Sequence, residues 1–143
     1  VPLADVITPN LPEAAVLLDR ARPASLEDME ALLPELVALG APYVVLKGGH
    51  LRGETCPDLL ASPQGQRWLA AERIATDNLH GTGCALSSAI TACLARLPAQ
   101  ASSEAPIEAI TTAKQWLHEA LAASERLNVG QGRGPVHHFH AWW

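Results

Sequence analysis

Five consecutive residues, His80-Gly81-Thr82-Gly83-Cys84, combine two glycines and a thiol at the point where a helix is predicted to begin. Glycines let the backbone come close to a ligand, and the first amides of a helix have no carbonyl one turn back to bond, so this terminus suits an anion. Cys84 falls in the first turn, where the positive end of the helix dipole favours a thiolate and makes a nucleophile or proton acceptor chemically possible. A tight turn followed by a buried cysteine accounts for the same residues without chemistry. His80 and Cys84 could ligate a metal, but no second pair of ligands lies nearby in the sequence, and a metal is not expected there.

Lys47, in Lys47-Gly48-Gly49-His50, follows an apolar run and precedes two glycines. Its ammonium can be held over a phosphate as a point charge; a solvated lysine at a strand end is the plain alternative. The chain does not spell the phosphate-binding pattern GxxxxGK[ST]. Asn10 and Glu13 could serve Mg²⁺ directly or through water, and they equally fit a helix capping box. His137, His138 and His140 crowd the end of the chain. Neighbours in sequence seldom point to one centre, so packed or solvated histidines are expected rather than a metal cluster. Trp142 and Trp143 read as a hydrophobic tether.

Elements must place these residues. Residues 4–8 are short, apolar and β-branched, stopped by Pro9-Asn10-Leu11-Pro12, which predicts a buried strand and a sharp turn. Asn10 as N-cap with Glu13 three residues on starts a helix that ends before Pro23. Ser25 with Asp28 starts a second, in which Leu26, Met29, Leu32, Leu33, Leu36 and Val37 recur at helical spacing, and Pro34 is expected to kink or divide it. The run Tyr43-Val44-Val45-Leu46 is a second buried strand. Residues 51–75 predict two or three short strands, from Asp58-Leu59-Leu60, Arg67-Trp68-Leu69-Ala70 and Arg73-Ile74-Ala75, with a hairpin turned by Ser62-Pro63-Gln64-Gly65. Residues 82–97, small and nearly uncharged, predict a helix packed close to a sheet and buried nearly all round. Residues 104–127 put Ile107, Ile110, Ala113, Leu117, Ala120 and Leu121 on one face and Glu108, Lys114, Gln115 and Glu119 outside it, an amphipathic surface helix; residues 129–143 are coil. This is an α/β order, which implies a mostly parallel sheet covered by helices, with ligands beyond the carboxyl ends of the strands. The loops at residues 8–13, 47–50 and 76–84 are therefore the ones to read for chemistry.

The 143 residues amount to one domain or part of one, and 48% hydrophobic residues support a packed core. The formal net charge of −5 is scattered along the chain, which excludes a nucleic-acid groove reader. No apolar run has the length of a membrane span and the first residues lack a signal-peptide layout, so a soluble chain is expected. Three widely spaced cysteines without a CxxC point to neither a disulfide framework nor a zinc clip, and fit a reducing cytosol. The chain opens at Val1-Pro2-Leu3, without Met and almost directly in a strand, which reads as a start inside a domain.

Taken in order, Asp5-Val6-Ile7-Thr8-Pro9-Asn10-Leu11-Pro12-Glu13-Ala14, Val45-Leu46-Lys47-Gly48-Gly49-His50-Leu51, Asp77-Asn78-Leu79-His80-Gly81-Thr82-Gly83-Cys84 and Gly134-Pro135-Val136-His137-His138-Phe139 resemble the hydroxymethylpyrimidine/phosphomethylpyrimidine kinases of thiamine biosynthesis, members of the ribokinase-like superfamily. The resemblance covers essentially the whole chain and corresponds to the carboxyl-terminal half of such an enzyme. It implies that residues 1–143 form the nucleotide and anion-hole part of a single kinase domain, an incomplete three-layer α/β/α sandwich. It implies ATP- and Mg²⁺-dependent phosphorylation of 4-amino-5-hydroxymethyl-2-methylpyrimidine and of its monophosphate. Asn10 and Glu13 match an NxxE element that organises Mg²⁺ around ATP, and Lys47 matches a lysine near the transferred phosphate. Gly81, Thr82, Gly83 and Cys84 match the anion hole, with Cys84 the base for the substrate hydroxyl where sugar-phosphorylating relatives carry an aspartate. Leu79 and Ala85 each stand where threonine is commoner, a change to loop packing more than to chemistry. The resemblance further implies a cytoplasmic homo-oligomer whose partners are a small pyrimidine and ATP, with no nucleic acid and no membrane. The alternatives are a pyridoxal kinase, against which the cysteine loop and the KGGH run speak, and a truncated, non-catalytic fragment. The half alone is expected to be inactive.

Overall fold

The computed structural model describes residues 1–142; Trp143, one of the two expected tether residues, lies outside the described residues. The chain divides into two compact units, Val1–Arg73 and Ile74–Trp143.

The amino-terminal unit holds β1 (Val6–Ile7), α1 (Leu11–Leu18), α2 (Leu26–Val37), β2 (Tyr43–Leu46), β3 (Asp58–Ser62) and β4 (Gly65–Leu69), with the strands side by side in that order. β1 runs parallel to β2, with Val6 opposite Tyr43 and Ile7 opposite Val44. β2, β3 and β4 then pair antiparallel. The sheet is thus mixed, and within this chain its parallel part is one strand pair. The hairpin forms where the Ser62-Pro63-Gln64-Gly65 turn predicts it, with Ser62 opposite Gly65 and Asp58 opposite Leu69. The run Arg73-Ile74-Ala75 forms no strand; the pairing here is a single bridge between Thr55 and Glu72, beside which the Arg73 amide donates to the Glu54 carbonyl at 2.8 Å. β1 is half-buried rather than buried, since it lies at the edge of the sheet and pairs only with β2 among the described residues.

Val44 and Leu46 share a face with their cross-strand neighbours Ala61 and Leu59, and Leu11, Ala14, Met29, Leu32, Leu33 and Leu36 of the two helices pack there. The alternate residues Val45 and Leu60 are each 1% exposed, so β2 and β3 are covered on both faces, which is why they read as unbroken apolar runs. Both helices begin with the capping boxes their sequences predict, Asn10 with Glu13 and Ser25 with Asp28. α2 runs unbroken through Pro34, contrary to the expected division. Pro34 stands in the last turn on the exposed side, and the Glu30 carbonyl that loses its amide partner belongs to an exposed residue, where water can bond it.

The carboxyl-terminal unit holds α3 (Thr82–Ala95), α4 (Ala105–Ala122) and a 3₁₀ turn, Ser124–Arg126. α4 buries Ile107, Ile110, Ala113, Leu117 and Ala120, as its pattern predicts. α3 is not buried nearly all round: only Ala85, Leu86 and Ile90 are buried. Its short side chains present one narrow stripe, and the helix it packs on in this unit is α4. The tail has no regular structure, yet Val136 and His137 are 0% and 2% exposed, and the His137 amide donates to the Ala120 carbonyl at 2.9 Å. His138 and His140 flank the ring of Trp116. Trp142 is not a buried tether: it stands 75% exposed, its ring beside that of Phe139, which is 56% exposed. No helix among the described residues is long and apolar enough to cross a membrane.

Two aliphatic residues of the amino-terminal unit offer a direct check of the core assignment. Leu46, fully buried, should cost about 2–5 kcal/mol when changed to Ala. Val16, 83% exposed on α1, should cost no more than about 0.5 kcal/mol for the same change. Urea unfolding of Leu46→Ala and Val16→Ala measures both, and equal losses would refute the packing described.

Candidate active site

In the amino-terminal unit the carboxyl ends of β1 and β2 carry the residues singled out from the sequence. Beyond the strands the parallel pairing continues as a bridge between Asn10 and Lys47, with the Lys47 amide donating to the Pro9 carbonyl at 2.9 Å. Asn10 and Glu13 are locked together: Glu13 Oε2 accepts the Asn10 amide and Asn10 Oδ1 accepts the Glu13 amide, both at 2.8 Å. Capping therefore occupies one carboxylate oxygen and leaves Oε1 without a partner among the described residues. Lys47 is half-buried, and its ammonium makes no hydrogen bond or ion pair among the described residues. The structure thus brings Asn10, Glu13 and Lys47 to one end of the sheet.

The surroundings of Lys47 are positive. His50 is held below the usual imidazole range, first by partial burial of its ring, then by the charges of Arg22 and Lys47, while Glu13 pulls the other way. Arg22 also reaches the His50 carbonyl through Nη2 at 3.2 Å. The loop that follows is wrapped on Arg73. Its Nε donates to the Gly53 carbonyl at 2.8 Å, Nη1 to Gly49 at 3.1 Å, and Nη2 to Leu51 at 2.6 Å and Thr55 at 3.5 Å. A rigid guanidinium fork suits such a set of carbonyls; a lysine could not hold them in the same way.

In the carboxyl-terminal unit Gly81 caps α3 with φ +78°, the left-handed region, which explains why glycine stands there in open space. The Thr82 hydroxyl donates to the Leu79 carbonyl at 2.6 Å and the Ala85 amide to the Gly81 carbonyl at 2.8 Å. The amides of Gly83 and Cys84 are left with no partner among the described residues, and Cys84 is exposed beside them. Behind this turn lies a polar brace. Thr76 Oγ1 donates to Glu125 Oε1 at 2.6 Å and accepts the Asn78 amide at 3.1 Å, so the hydroxyl of fully buried Ser124, 3.2 Å away, must be the donor of that pair. The tail closes the other side: the His80 amide donates to the Gly134 carbonyl at 3.2 Å, and a Cβ at Gly134 would run into the Asn78 side chain. Gly81, Thr82, Gly83 and Cys84 are thereby assembled as one turn. No three His, Cys, Asp or Glu side chains gather as a metal centre among the described residues.

Residue types and spacing do not reveal the supports. Asp58 accepts a backbone amide, Arg73 donates to loop carbonyls, and Thr76 meets Glu125 across 49 residues. The one legible signal is an acid, Asp58, placed directly before a run of buried leucines.

The family model described as phosphomethylpyrimidine kinase matches residues 1–137. A hydroxymethylpyrimidine/phosphomethylpyrimidine kinase of Rhizobium meliloti (strain 1021) is 48% identical over 143 residues, 99% of this chain and 51% of the relative. Among solved structures, an ADP complex of Bacillus subtilis pyridoxal kinase aligns with a TM-score of 0.84 at 38% identity, over 98% of this chain and 50% of that one. Pyridoxal kinase from Staphylococcus aureus, in complex with AMP-PCP and pyridoxal, aligns with a TM-score of 0.85 at 32% identity, over 99% of this chain and 50% of that one. The chain spans about half the length of these relatives. Its fold is that of the ribokinase-like kinases, and the chain belongs to the phosphomethylpyrimidine kinase family.

Proposed function

We propose that the protein to which this chain belongs transfers the terminal phosphoryl group of ATP to the hydroxymethyl group of 4-amino-5-hydroxymethyl-2-methylpyrimidine, and then to the monophosphate so formed, in thiamine biosynthesis. The match of residues 1–137 to the family carries this reading. This chain supplies the nucleotide and anion-hole half of the kinase domain. The three free cysteines suit the reducing cytoplasm.

Phosphoryl transfer asks for positioning and charge neutralisation more than covalent chemistry. The unpartnered amides of Gly83 and Cys84 donate to anionic oxygens, Thr82 and Gly83 line the nucleotide phosphates, and Gly81 gives the turn its backbone shape. Lys47 supplies a mobile point charge from a fixed backbone. Cys84 is the base that takes the proton of the substrate hydroxyl as its oxygen attacks phosphorus, and ADP leaves with the bridging oxygen. The Glu13 carboxylate, with one oxygen engaged in the cap and one remaining, fits an indirect, water-mediated hold on Mg²⁺ together with Asn10. When bound, that ion neutralises phosphate charge.

Pyridoxal phosphorylation is the second reading, favoured by the likeness to pyridoxal kinases that bind ADP, AMP-PCP and pyridoxal. Assaying the full-length enzyme with the pyrimidine and pyridoxal as competing acceptors decides between them by kcat/KM.

Three outcomes test the assigned roles in the full-length enzyme. Cys84→Ser should lower kcat by about 100-fold or more while ATP affinity stays within about 3-fold, because the amides remain; Cys84→Asp should recover part of the loss, and parental turnover in Cys84→Ser would remove the base. Glu13→Gln should unfold at nearly the parental temperature, since Gln still caps, but require more Mg²⁺ for half-maximal rate. An unchanged Mg²⁺ requirement would leave Glu13 a capping role alone. His50 should titrate below free histidine by NMR, and removing the neighbouring charge with Lys47→Met should raise its pKa towards the ordinary value; no change would separate Lys47 from the His50 surroundings.

A further inference from the structure

Asp58 opens β3 with its side chain inside the protein, 5% exposed, ahead of Leu59 and Leu60 at 0% and 1%. Taking a carboxylate out of water is unfavourable unless hydrogen bonds replace the water, so a buried acid at the head of an apolar strand needs a structural reason. Its Oδ1 accepts the amide of Gly48 at 2.9 Å. Gly48 is buried, and a Cβ there would run into the carbonyl oxygen of Pro57, the residue before Asp58. One step earlier, the Lys47 amide is held by the Pro9 carbonyl at 2.9 Å. The backbone at Lys47 is therefore pinned from the turn after β1 on one side and from β3 on the other. The Lys47 ammonium itself bonds nothing among the described residues, so its reach is set by the backbone beneath it.

We propose that Asp58 is a positioning residue: through the Gly48 amide it fixes the direction from which the Lys47 ammonium meets the transferred phosphate. This rests on the role proposed above for Lys47. Asp58 touches no reacting atom in this reading, and its effect on rate passes entirely through Lys47.

A double-mutant cycle in the full-length enzyme tests the link, with kcat, KM for ATP and thermal unfolding measured for each variant. Asp58→Asn keeps an oxygen acceptor for the Gly48 amide and should stay within about 3-fold of the parental kcat. Asp58→Ala loses the acceptor and should lower kcat by about 10-fold to 100-fold, with KM for ATP changed less than about 3-fold, as expected for a misplaced rather than a missing group. Lys47→Met should lower kcat at least as much, and adding Asp58→Ala to it should cost no more than about 3-fold further. Should Asp58→Ala not fold, Asp58→Ser, smaller but still polar, takes its place in the cycle. A loss that multiplies undiminished onto Lys47→Met, or a parental kcat in Asp58→Ala, overturns the positioning role while leaving Lys47 in place. A parental kcat in Lys47→Met overturns the reading of Lys47 and this proposal with it.

Discussion

The hydrogen bond from the Lys47 amide to the Pro9 carbonyl is the constraint on which the amino-terminal unit depends. β1 and β2 pair over only two residues, too few to hold an edge strand firmly by ladder bonds alone. The bond carries their pairing past the strands and ties the turn that starts α1 to the loop that ends β2. Asn10 then begins its helix at a height fixed relative to Lys47, and the capping box fixes Glu13 in turn. Helix start, acid and lysine are thus placed by one backbone contact. The side chains inherit that placement; they do not create it.

Features written in local spacing are legible in the residues themselves. Asn10 with Glu13 and Ser25 with Asp28 form caps because donor and acceptor lie three residues apart, a distance that sequence displays directly. β2 and the hairpin are equally legible, because a buried strand is a continuous apolar run and a Pro-containing turn interrupts it. What escapes involves partners without a residue type. Asp58 binds an amide ten residues away, and Arg73 binds carbonyls that any residue in the loop would offer. Such a partner leaves no letter in the chain, so Arg73 reads as part of a strand of its own, and Asp58, though an acid ahead of buried leucines, does not reveal what it binds. α3 misleads for another reason: among its many small, uncharged residues only Leu86 and Ile90, four apart, are large and buried, and the small residues on its other sides are apolar enough to suggest burial there too. Pro34 misleads because a proline is costly only where its missing hydrogen bond cannot be replaced by water, and exposure is not written locally.

In the function proposed above, the two units meet the charge of a phosphate by different means. Around Lys47 the charge comes from side chains; the pKa of His50 is lowered first by burial of its ring and then by Arg22 and Lys47. At Gly83 and Cys84 it comes from backbone amides, which carry no net charge, do not titrate and cannot be removed by replacing a side chain. What such a site requires is a backbone held still. Gly81 permits the turn, Thr82 ties it to Leu79, and the Thr76–Glu125 brace with the Gly134 contact fixes it from behind.

Placing Cys84 at the third position of α3 makes one residue serve two ends. In a helix each Cα–Cβ bond tilts towards the N-terminus, so a side chain in the first turn leans over the same end at which the unbonded amides point. The amide of Cys84 and its thiol are therefore presented at the same end of α3; in the function proposed above the first donates to an anion and the second accepts a proton. A serine there keeps the amide and the direction of the side chain while losing the basicity of sulfur. An aspartate keeps the direction and restores an acceptor, but adds a permanent negative charge beside the anion site. The serine is thus the sharper test of proton acceptance, because it changes the acceptor while leaving the backbone amides in place.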